Sequence, residues 1–351
     1  MPSTPVQDRP GFAPMLPGAR GNLSEWVLRR LEGRSDRGMP DPSRADPLGA
    51  DLQMALFVCY ELHYRGFRNV GDGWEWDPAL LEFRAGLESA FITRLRARVA
   101  GVDEHAAGCV GDGLDAETAL DHATAGRPGD RGPADHLAAD GSWEQMREYF
   151  IHRSVYQLKE ADPYVWAIPR LRGQAKASLA AVEFDEFGAG HGAEVHSRLF
   201  ADLLDAAGLD STYLAYADRV PAPTLAVANL ATTFGLHRSL RGALVGHFAV
   251  TESSTGPAAK ALERALKAMA APEPCVRFYT EHVEADAVHE QVVRYDILQP
   301  LLEAEPWLTD DVVFGIRAVG TLEADLSTLL LDSWDQGRSS LGPVGGSPTR
   351  G

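Results

Sequence analysis

The chain has 351 residues and a formal net charge of −17, from 33 basic and 50 acidic side chains. This acidity argues against non-specific binding to nucleic acid and against attraction to anionic membrane surfaces. Hydrophobic residues make up 45% of the chain, and the three cysteines lack a CxxC spacing, so the composition indicates a globular protein with neither a disulfide framework nor a zinc–thiolate site.

The two ends of the chain differ in composition from the rest. Residues 1–22 are rich in Pro, Gly and Arg and lack the apolar core of a signal peptide, and no apolar run reaches the roughly 18 residues of a membrane helix. We therefore expect a cytoplasmic protein with no membrane association. Disordered tails are expected over 1–22 and 336–351.

Helical periodicity begins after the first tail. Ser24 caps a short amphipathic stretch over 25–31, and a stronger helix is predicted over 51–67, followed by another that ends near residue 99. Residues 101–140 are acidic and interrupted by Gly and Pro, which favours a long surface connection. We assign 23–140 as an N-terminal helical extension with an acidic, Gly/Ala-rich connection.

Residues 141–335 are predicted to form a helical core. Ser142 and Gln145 make a capping-box pair at the start of a helix that runs to Asp162. Another helix begins near Gln174, and two more flank a break at 221–223, the second of them over 225–252. Further helices are predicted over 257–269, 277–304 and 312–333. Strand alternation, GxGxxG, Walker and GxSxG motifs are all missing from the sequence, so the fold class is all-α.

One stretch of this core, EHVEADAVHE, suggests metal binding. His282, Asp286 and His289 occupy positions i, i+4 and i+7, which share one face of a helix. Two imidazoles and a carboxylate on one face form half of a site for Fe, Mn or Zn. The alternative is a solvated polar face with two incidental histidines.

A second candidate pair, Glu186 and His196, lies ten residues apart around three glycines. A straight helix would separate the two residues by about 15 Å, too far to share one metal. Gly188, Gly190 and Gly192 allow an unwound turn that could bring the two side chains together, although an ordinary interhelical loop explains them too.

Two more carboxylates stand among apolar neighbours. Glu160 follows the apolar residues of the helix after Ser142, and Glu252 ends a long hydrophobic run, where a carboxylate must be paired, protonated or bound to a cation. Four carboxylates and three imidazoles from about four helices suit a bundle that holds two irons. The set is Glu160, Glu186, His196, Glu252, His282, Asp286 and His289.

The chain resembles the heme-oxygenase-like diiron oxidases and oxygenases, often called iron-containing redox enzymes. The resemblance runs from about residue 51 to residue 333, and it is carried by HRSVYQLKEADPYVWAIPRL, EFDEFGAGHGAEVHSRLF and HVEADAVH. All seven positions carry the residue type of the family's ligands, in the same order. One departure is the family's frequent Glu-Tyr-Gly-Gly-Gly turn, which here lacks the tyrosine and reads Glu186-Phe187-Gly188-Ala189-Gly190.

The resemblance implies a heme-oxygenase-like bundle of about seven core helices, without heme, over 141–335. It implies two Fe(2+) ions per chain held by the seven residues, O2 as cosubstrate, and one core helix that becomes ordered as metal binds. Glu186 and Glu252 are the expected catalytic ligands, able to shift between bridging and terminal binding. The implied activity is oxidation of a small organic substrate, with N-oxygenation of an amine or amino acid favoured over oxidative C–C cleavage of an amino or fatty acid.

Other readings stay open at this stage. The chain could bind iron or a small molecule without turnover, or it could be a heme enzyme with His63 as the axial ligand. Arg241 and Arg277 are candidate anchors for a substrate carboxylate. The expected partners are a small-molecule substrate, an external electron donor and a second copy of the chain.

Overall fold

The computed structural model describes residues 13–34, 38–105, 115–125 and 131–343. This part of the chain contains helices and no strand, which confirms the all-α prediction. The helices are α1 (Asn22–Leu31), α2 (Ala50–Glu61), α3 (Pro78–His105), α4 (Ala116–Ala125), α5 (Pro133–Ala139), α6 (Trp143–Gln157), α7 (Gly173–Glu186), α8 (His196–Ala206), α9 (Ala222–Leu236), α10 (Arg241–Ala268), α11 (Glu273–Gln291), α12 (Gln299–Ala304) and α13 (Thr309–Asp335). None of them is both long and apolar enough to cross a membrane.

Helix α10 is the centre of the bundle, where it packs against α11 on one side and α13 on the other. The crossing with α13 is close because each helix has a glycine that lies against the backbone of the other helix. A Cβ atom built on Gly246 would lie 2.1 Å from the Val312 carbonyl oxygen, and one on Gly315 would lie 2.1 Å from that of Ala243. Both positions therefore require glycine, and the crossing holds α10 in one place.

The N-terminal helices pack on this bundle. The amide of Asn229 on α9 donates to both the backbone and the side-chain oxygen of Gln53 on α2, and Tyr60 contacts Thr233 with 2.8 Å between the hydroxyls. The segment before α1 is held as well, because the Gly18 amide donates to Asp218. These contacts show how the predicted extension and core are joined, while the domain boundaries at 22, 140 and 335 stay predictions.

Several helices end earlier than the sequence suggests. Helix α2 ends at Glu61, and α6 ends at Gln157, so Glu160 lies in a turn in which Ala161 adopts a positive φ of 72°. The expected helix over 225–252 is interrupted between α9 and α10, because the Arg170 guanidinium caps the last carbonyls of α9. These helix ends depend on contacts from distant segments, which local periodicity does not report.

Other helices continue differently from the prediction. Helix α10 runs through Pro257 without ending, although the proline removes one backbone donor one turn after Glu252. The predicted helix over 277–304 is instead α11, a π-helical segment Val292–Leu298, and α12. Pro300 cannot donate to the carbonyl four residues before it, which is consistent with the wider turns ahead of it.

A fully buried ion pair fixes the turn that carries Glu160. The Lys159 ammonium donates to Glu61 on α2, and the second oxygen of that carboxylate accepts from the Tyr213 hydroxyl at 2.6 Å. The ammonium also lies over the rings of Phe57 and Tyr64. Because a buried charge is costly without its partner, this pair ties the turn to α2.

We expect Lys159→Met to lower the free energy of unfolding by about 3–5 kcal/mol, because it leaves the Glu61 carboxylate buried without its cation. Adding Glu61→Gln should recover more than half of the loss, since a neutral amide still accepts from Tyr213. Urea unfolding of the two single variants and the double variant measures this cycle. An equal loss in the double variant would contradict the explanation. The exposed pair Lys267–Glu263 is the control, and Lys267→Met should change stability by less than about 0.5 kcal/mol.

Candidate metal centre

Six of the seven predicted ligands meet in two groups inside the bundle. The first group joins Glu160, His196 and His282, and the second joins Glu186, Glu252 and His289. Within each group the candidate ligand atoms lie within 4.8 Å of one another. The seventh predicted ligand, Asp286, is on α11, but its side chain lies outside the described residues.

Glu186 connects the two groups through its two carboxylate oxygens. Its Oε2 atom lies 2.6 Å from His196 Nδ1 of the first group, and its Oε1 atom lies 3.5 Å from His289 Nδ1 of the second. In the second group, Glu252 Oε2 lies 2.9 Å from the same nitrogen of His289. A carboxylate with one oxygen directed at each of two groups has the geometry of a bridge between two ions.

A break in the backbone places Glu186 beside His196. Glu186 is the last residue of α7 and His196 is the first residue of α8. Between them Gly188, Ala189 and Gly190 have φ angles of 71°, 50° and 87°. A Cβ atom on Gly188 would lie 2.7 Å from the backbone of Glu194 and Val195, so glycine is required there. The predicted unwound turn is therefore present.

The histidine rings are oriented by their neighbours. His282 Nδ1 lies 2.7 Å from the Phe278 carbonyl, so it donates there and leaves Nε2 facing Glu160 Oε2 at 3.6 Å. The His282 ring also packs against the ring of His196, with centroids 4.5 Å apart. On the second group, Asp185 Oδ2 lies 3.5 Å from His289 Nε2. Carboxylate or carbonyl contacts on one ring nitrogen are typical of histidines that bind a metal through the other.

Burial and neighbouring charges shift the pKa values of the carboxylates in opposite directions. Burial would raise the pKa of Glu186, but the imidazoles of His196, His282 and His289 lower it below its ordinary value. Burial raises the pKa of Glu252, and the charge of Glu186 adds to this while His289 opposes it. The protein without metal thus holds one of these carboxylates ionised more readily than the other.

Glu183 is a further carboxylate at this site that the sequence analysis did not assign. It lies one turn before Glu186 on α7 with only 2% of its surface exposed, and neither carboxylate oxygen has a hydrogen-bond partner among the described residues. Burial, followed by the charges of Glu186 and Glu252, raises its pKa to about 10. Glu183 therefore holds a proton at neutral pH in the metal-free protein.

The residues present fit a pair of metal ions. Glu160 Oε2 and His196 Nδ1 are buried, and the polar atoms near them belong to other candidate ligands, His282 Nε2 at 3.6 Å and Glu186 Oε2 at 2.6 Å. Glu160, Glu186, Glu252 and His282 also line one void of about 20 Å³. Buried oxygen and nitrogen ligands that converge in this way suit Fe, Mn or Zn, which accept mixed carboxylate and imidazole sets.

A larger cavity of about 300 Å³ reaches the first group, since Glu160 and His282 line both this cavity and the small void. Its size falls at the lower end of small-molecule sites in proteins. Much of its wall is apolar, with Val227 and Leu230 from α9 and Leu322 and Leu326 from α13. The candidate metal centre therefore opens onto a space of substrate size.

Two tyrosines, Tyr156 and Tyr164, line the small void. The Tyr156 hydroxyl donates to that of Tyr164 at 3.3 Å, which in turn lies 2.8 Å from His247 Nδ1. Burial lowers the pKa of His247 to about 4, so this imidazole is neutral at pH 7. Although Phe187 supplies no hydroxyl, the void thus has hydroxyls from these two tyrosines.

The remaining candidates of the sequence analysis lie elsewhere. Arg241 pairs with Glu305 and Arg277 with Glu194, and neither arginine lines the described cavities. Both ring nitrogens of His63 are engaged, Nδ1 by Glu75 at 2.8 Å and Nε2 by Arg84, which argues against an axial heme ligand. Sequence reasoning missed Arg153 and Glu323, which do line the larger cavity.

We expect Glu183→Gln to stabilise the metal-free protein increasingly as the pH rises from 5 to 9. Between the ordinary carboxyl pKa and about 10 the native state keeps the Glu183 proton that the unfolded state has released, so wild-type stability falls with pH. The wild type should lose up to about 1.4 kcal/mol per pH unit relative to the variant. Urea unfolding in EDTA at several pH values measures the difference. A difference independent of pH would contradict a buried neutral carboxyl, and exposed Glu144→Gln is the control.

The chain is similar in sequence to known proteins. A segment of 161 residues, 46% of the chain, is 28% identical to nitrosourea synthase from Streptomyces achromogenes subsp. streptozoticus. The aligned segment spans about a third of that relative, 34% of its length. The model of the iron-containing redox enzyme family matches residues 147–324, just over half of the chain, and this range contains all seven predicted ligands. The chain belongs to the iron-containing redox enzyme family.

Proposed function

We propose that the protein is a non-heme diiron oxygenase that uses O2 to oxidise a small organic substrate. The observation that carries the proposal is the pair of three-residue groups joined by the two oxygens of Glu186. A single-metal site needs no second group, and a heme site needs no cluster of buried carboxylates. Family membership supports an iron-dependent oxidoreductase, and the cavity beside His282 supports a small-molecule substrate.

Charge balance supports two divalent ions. Glu160, Glu186, Glu252 and Asp286 together carry four negative charges when ionised, and the three histidines bind a metal as neutral imidazoles. Two Fe(II) ions carry four positive charges, so the loaded centre would be neutral overall. Neutrality matters because an uncompensated charge in the interior of a protein is strongly unfavourable.

The residues of the chain have separate tasks in this proposal. Two bound Fe(II) ions would supply the electrons that reduce dioxygen. Glu186 would hold both metal ions through its two oxygens, and Glu252 would be a ligand of the second ion. The hydroxyls of Tyr156 and Tyr164 hold protons at the edge of the void, with the neutral imidazole of His247 behind them.

Nitrogen is the atom we favour as the site of oxidation. The relative of known activity is a nitrosourea synthase, and a nitrosourea contains an oxygenated nitrogen. Hydroxylation of an amine consumes one O2, two electrons and two protons, and it yields a hydroxylamine and water. An external electron donor must therefore complete each turnover. Product analysis separates this outcome from oxidative C–C cleavage, which releases a shortened carbon chain.

We expect about two Fe(II) ions per chain after anaerobic loading, and about one in His282→Gln, which removes a ligand of the first group. Glu186→Gln should weaken the binding of both ions at least tenfold, because it removes the bridge. Equilibrium dialysis with metal counting measures this, and His237→Gln is the control because His237 contacts Glu88 outside both groups. Two ions retained in Glu186→Gln would contradict the role of Glu186 as a ligand of both ions. No iron above background in the wild type would contradict the proposed diiron centre.

We also expect the Fe(II)-loaded wild type to give a transient absorption band after rapid mixing with O2. Asp286→Ala should abolish the band, since it removes the seventh predicted ligand of the metal centre. A transient that does not depend on Asp286 would contradict its role as a ligand. Iron binding without any reaction with O2 would instead favour an iron-binding protein without turnover. Addition of hemin should give no Soret band shift.

A further inference from the structure

The larger cavity has a polar wall that the metal centre does not use. Arg153 and Gln157 on α6, followed by Glu160 in the next turn, are spaced by four and three residues and all line the cavity. The i, i+4 spacing places Arg153 and Gln157 on one face of α6. Glu160 lines the same cavity from the turn that follows the helix.

An ion pair on this wall presents both of its charges to the cavity. The Arg153 guanidinium donates two hydrogen bonds to the carboxylate of Glu323 on α13, at 2.7 and 2.9 Å. Both residues line the cavity, and their side chains are 24% and 30% exposed. The guanidinium also lies over the ring of Tyr149, 5.1 Å from its centroid. A ligand in the cavity would therefore meet a positive and a negative group side by side.

Two buried polar atoms on this wall have no partner in the described structure. One is Arg153 Nε, a donor, and the other is Gln157 Oε1, an acceptor. An unpartnered buried donor or acceptor costs about 1–3 kcal/mol in general, so such atoms are usually satisfied by water or by a ligand. The rest of the wall between them and His282 is largely apolar. The cavity thus has one end that needs both an acceptor and a donor, and a middle that suits a hydrocarbon chain.

We propose that this wall binds the head group of an α-amino acid with a long side chain. The carboxylate is placed at Arg153, the ammonium is placed between Glu323 and Gln157, and the side chain runs past Val227 and Leu230 towards Glu160 and His282. The last step rests on the proposed function, because it puts the far end of the side chain at the metal centre. Arg153 and Glu323 are specificity-determining residues in this assignment.

The paired charges decide between substrate classes. A fatty acid would bring a carboxylate alone, and Glu323 would repel it. A simple amine would bring a cation alone, and Arg153 would repel it. An α-amino acid carries both charges on adjacent atoms and opposes each wall charge with its complement.

A purely structural ion pair is the competing explanation, and the chain offers a matched control for it. Arg98 on α3 makes a bidentate pair with Asp325, two residues from Glu323 on the same helix. Its side chains are similarly exposed, 29% and 34%, but neither residue lines the cavity. Variants of the Arg98–Asp325 pair therefore report the loss of a helix-to-helix tie alone.

The test is calorimetric binding to the full chain, first without metal and then with Fe(II) under argon. The probes are L-lysine, L-arginine and L-norleucine, together with 6-aminohexanoate and 1,5-diaminopentane, which are lysine without its α-amino or carboxyl group. At least one of the amino acids should bind about tenfold or more tightly than both trimmed compounds. Equal binding of the whole panel, or no binding of any amino acid, would overturn the proposal.

Charge-neutralising variants give a second, opposite-signed readout. Glu323→Gln should weaken amino-acid binding about tenfold and strengthen binding of 6-aminohexanoate, because the Arg153 charge is then unbalanced. Arg153→Gln should instead strengthen binding of 1,5-diaminopentane. Asp325→Asn should leave all affinities unchanged. If Glu323→Gln and Arg153→Gln both weaken the binding of every probe, with normal helical content by circular dichroism, the ion pair only connects α6 to α13 and the proposal is wrong.

The proposed function and this inference can fail separately. Head-group selectivity is measured without iron or O2, so it can be present in a protein that never activates oxygen. Conversely, a protein that binds two irons and reacts with O2 but shows no preference for the amino-acid head group would keep the proposed function and lose this inference.

Discussion

The structure depends on one constraint, the burial of several carboxylates in the middle of a helical bundle. Glu183, Glu186 and Glu252 are all buried. The charges of Glu186 and Glu252 add to burial in raising the pKa of Glu183, and the charge of Glu186 adds to burial in raising the pKa of Glu252. Carboxylates at such close range cannot all be ionised without cations. In the metal-free protein the negative charge is reduced because Glu183 is protonated, and the imidazoles close to Glu186 stabilise its ionised form. Metal binding at this place therefore competes with protons and nearby histidines, and affinity for iron should rise with pH.

The bundle separates a regular frame from irregular segments that carry the candidate ligands. The glycine-mediated crossing of α10 and α13 is regular and close. In contrast, Glu160 precedes a residue with positive φ, Glu186 precedes three such residues, and His289 lies three residues before a π-helical segment. A straight helix would hold Glu186 and His196 about 15 Å apart, so the irregular backbone between them is what lets these two ligands converge. The irregular turns are held in place from outside, as the Lys159–Glu61 pair shows for the turn of Glu160.

The parts of the site that the sequence predicted are those encoded by short-range patterns. The i, i+4, i+7 spacing predicted that His282 and His289 belong to the same half of a site, whereas the structure places them in different groups. The glycines after Glu186 indicated the turn that brings His196 close. The all-α fold followed from helical periodicity and has been confirmed. Helix ends were predicted poorly where a distant group determines them, as Arg170 does for α9. Only the packed structure shows that the oxygens of Glu183, one turn before Glu186, have no hydrogen-bond partner among the described residues.

Arg153 and Glu323 illustrate a harder limit of sequence reasoning, because they are 170 residues apart and neither lies in a distinctive motif. Arginines were considered as substrate anchors, yet Arg241 and Arg277 turned out to be paired away from the cavity. What distinguishes Arg153 is its position on α6, which places it on the same cavity that Glu160 lines from the turn after the helix. Arg153 and Glu160 line the same cavity, so the candidate head-group site and the edge of the metal centre lie on one wall. This arrangement makes the distance between binding and chemistry a property of a single helix and the turn that follows it, and the buried Lys159 holds that turn. Insertions or deletions between Arg153 and Glu160, rather than changes in the ligands, would be the simplest way to alter which substrate length reaches the metal centre.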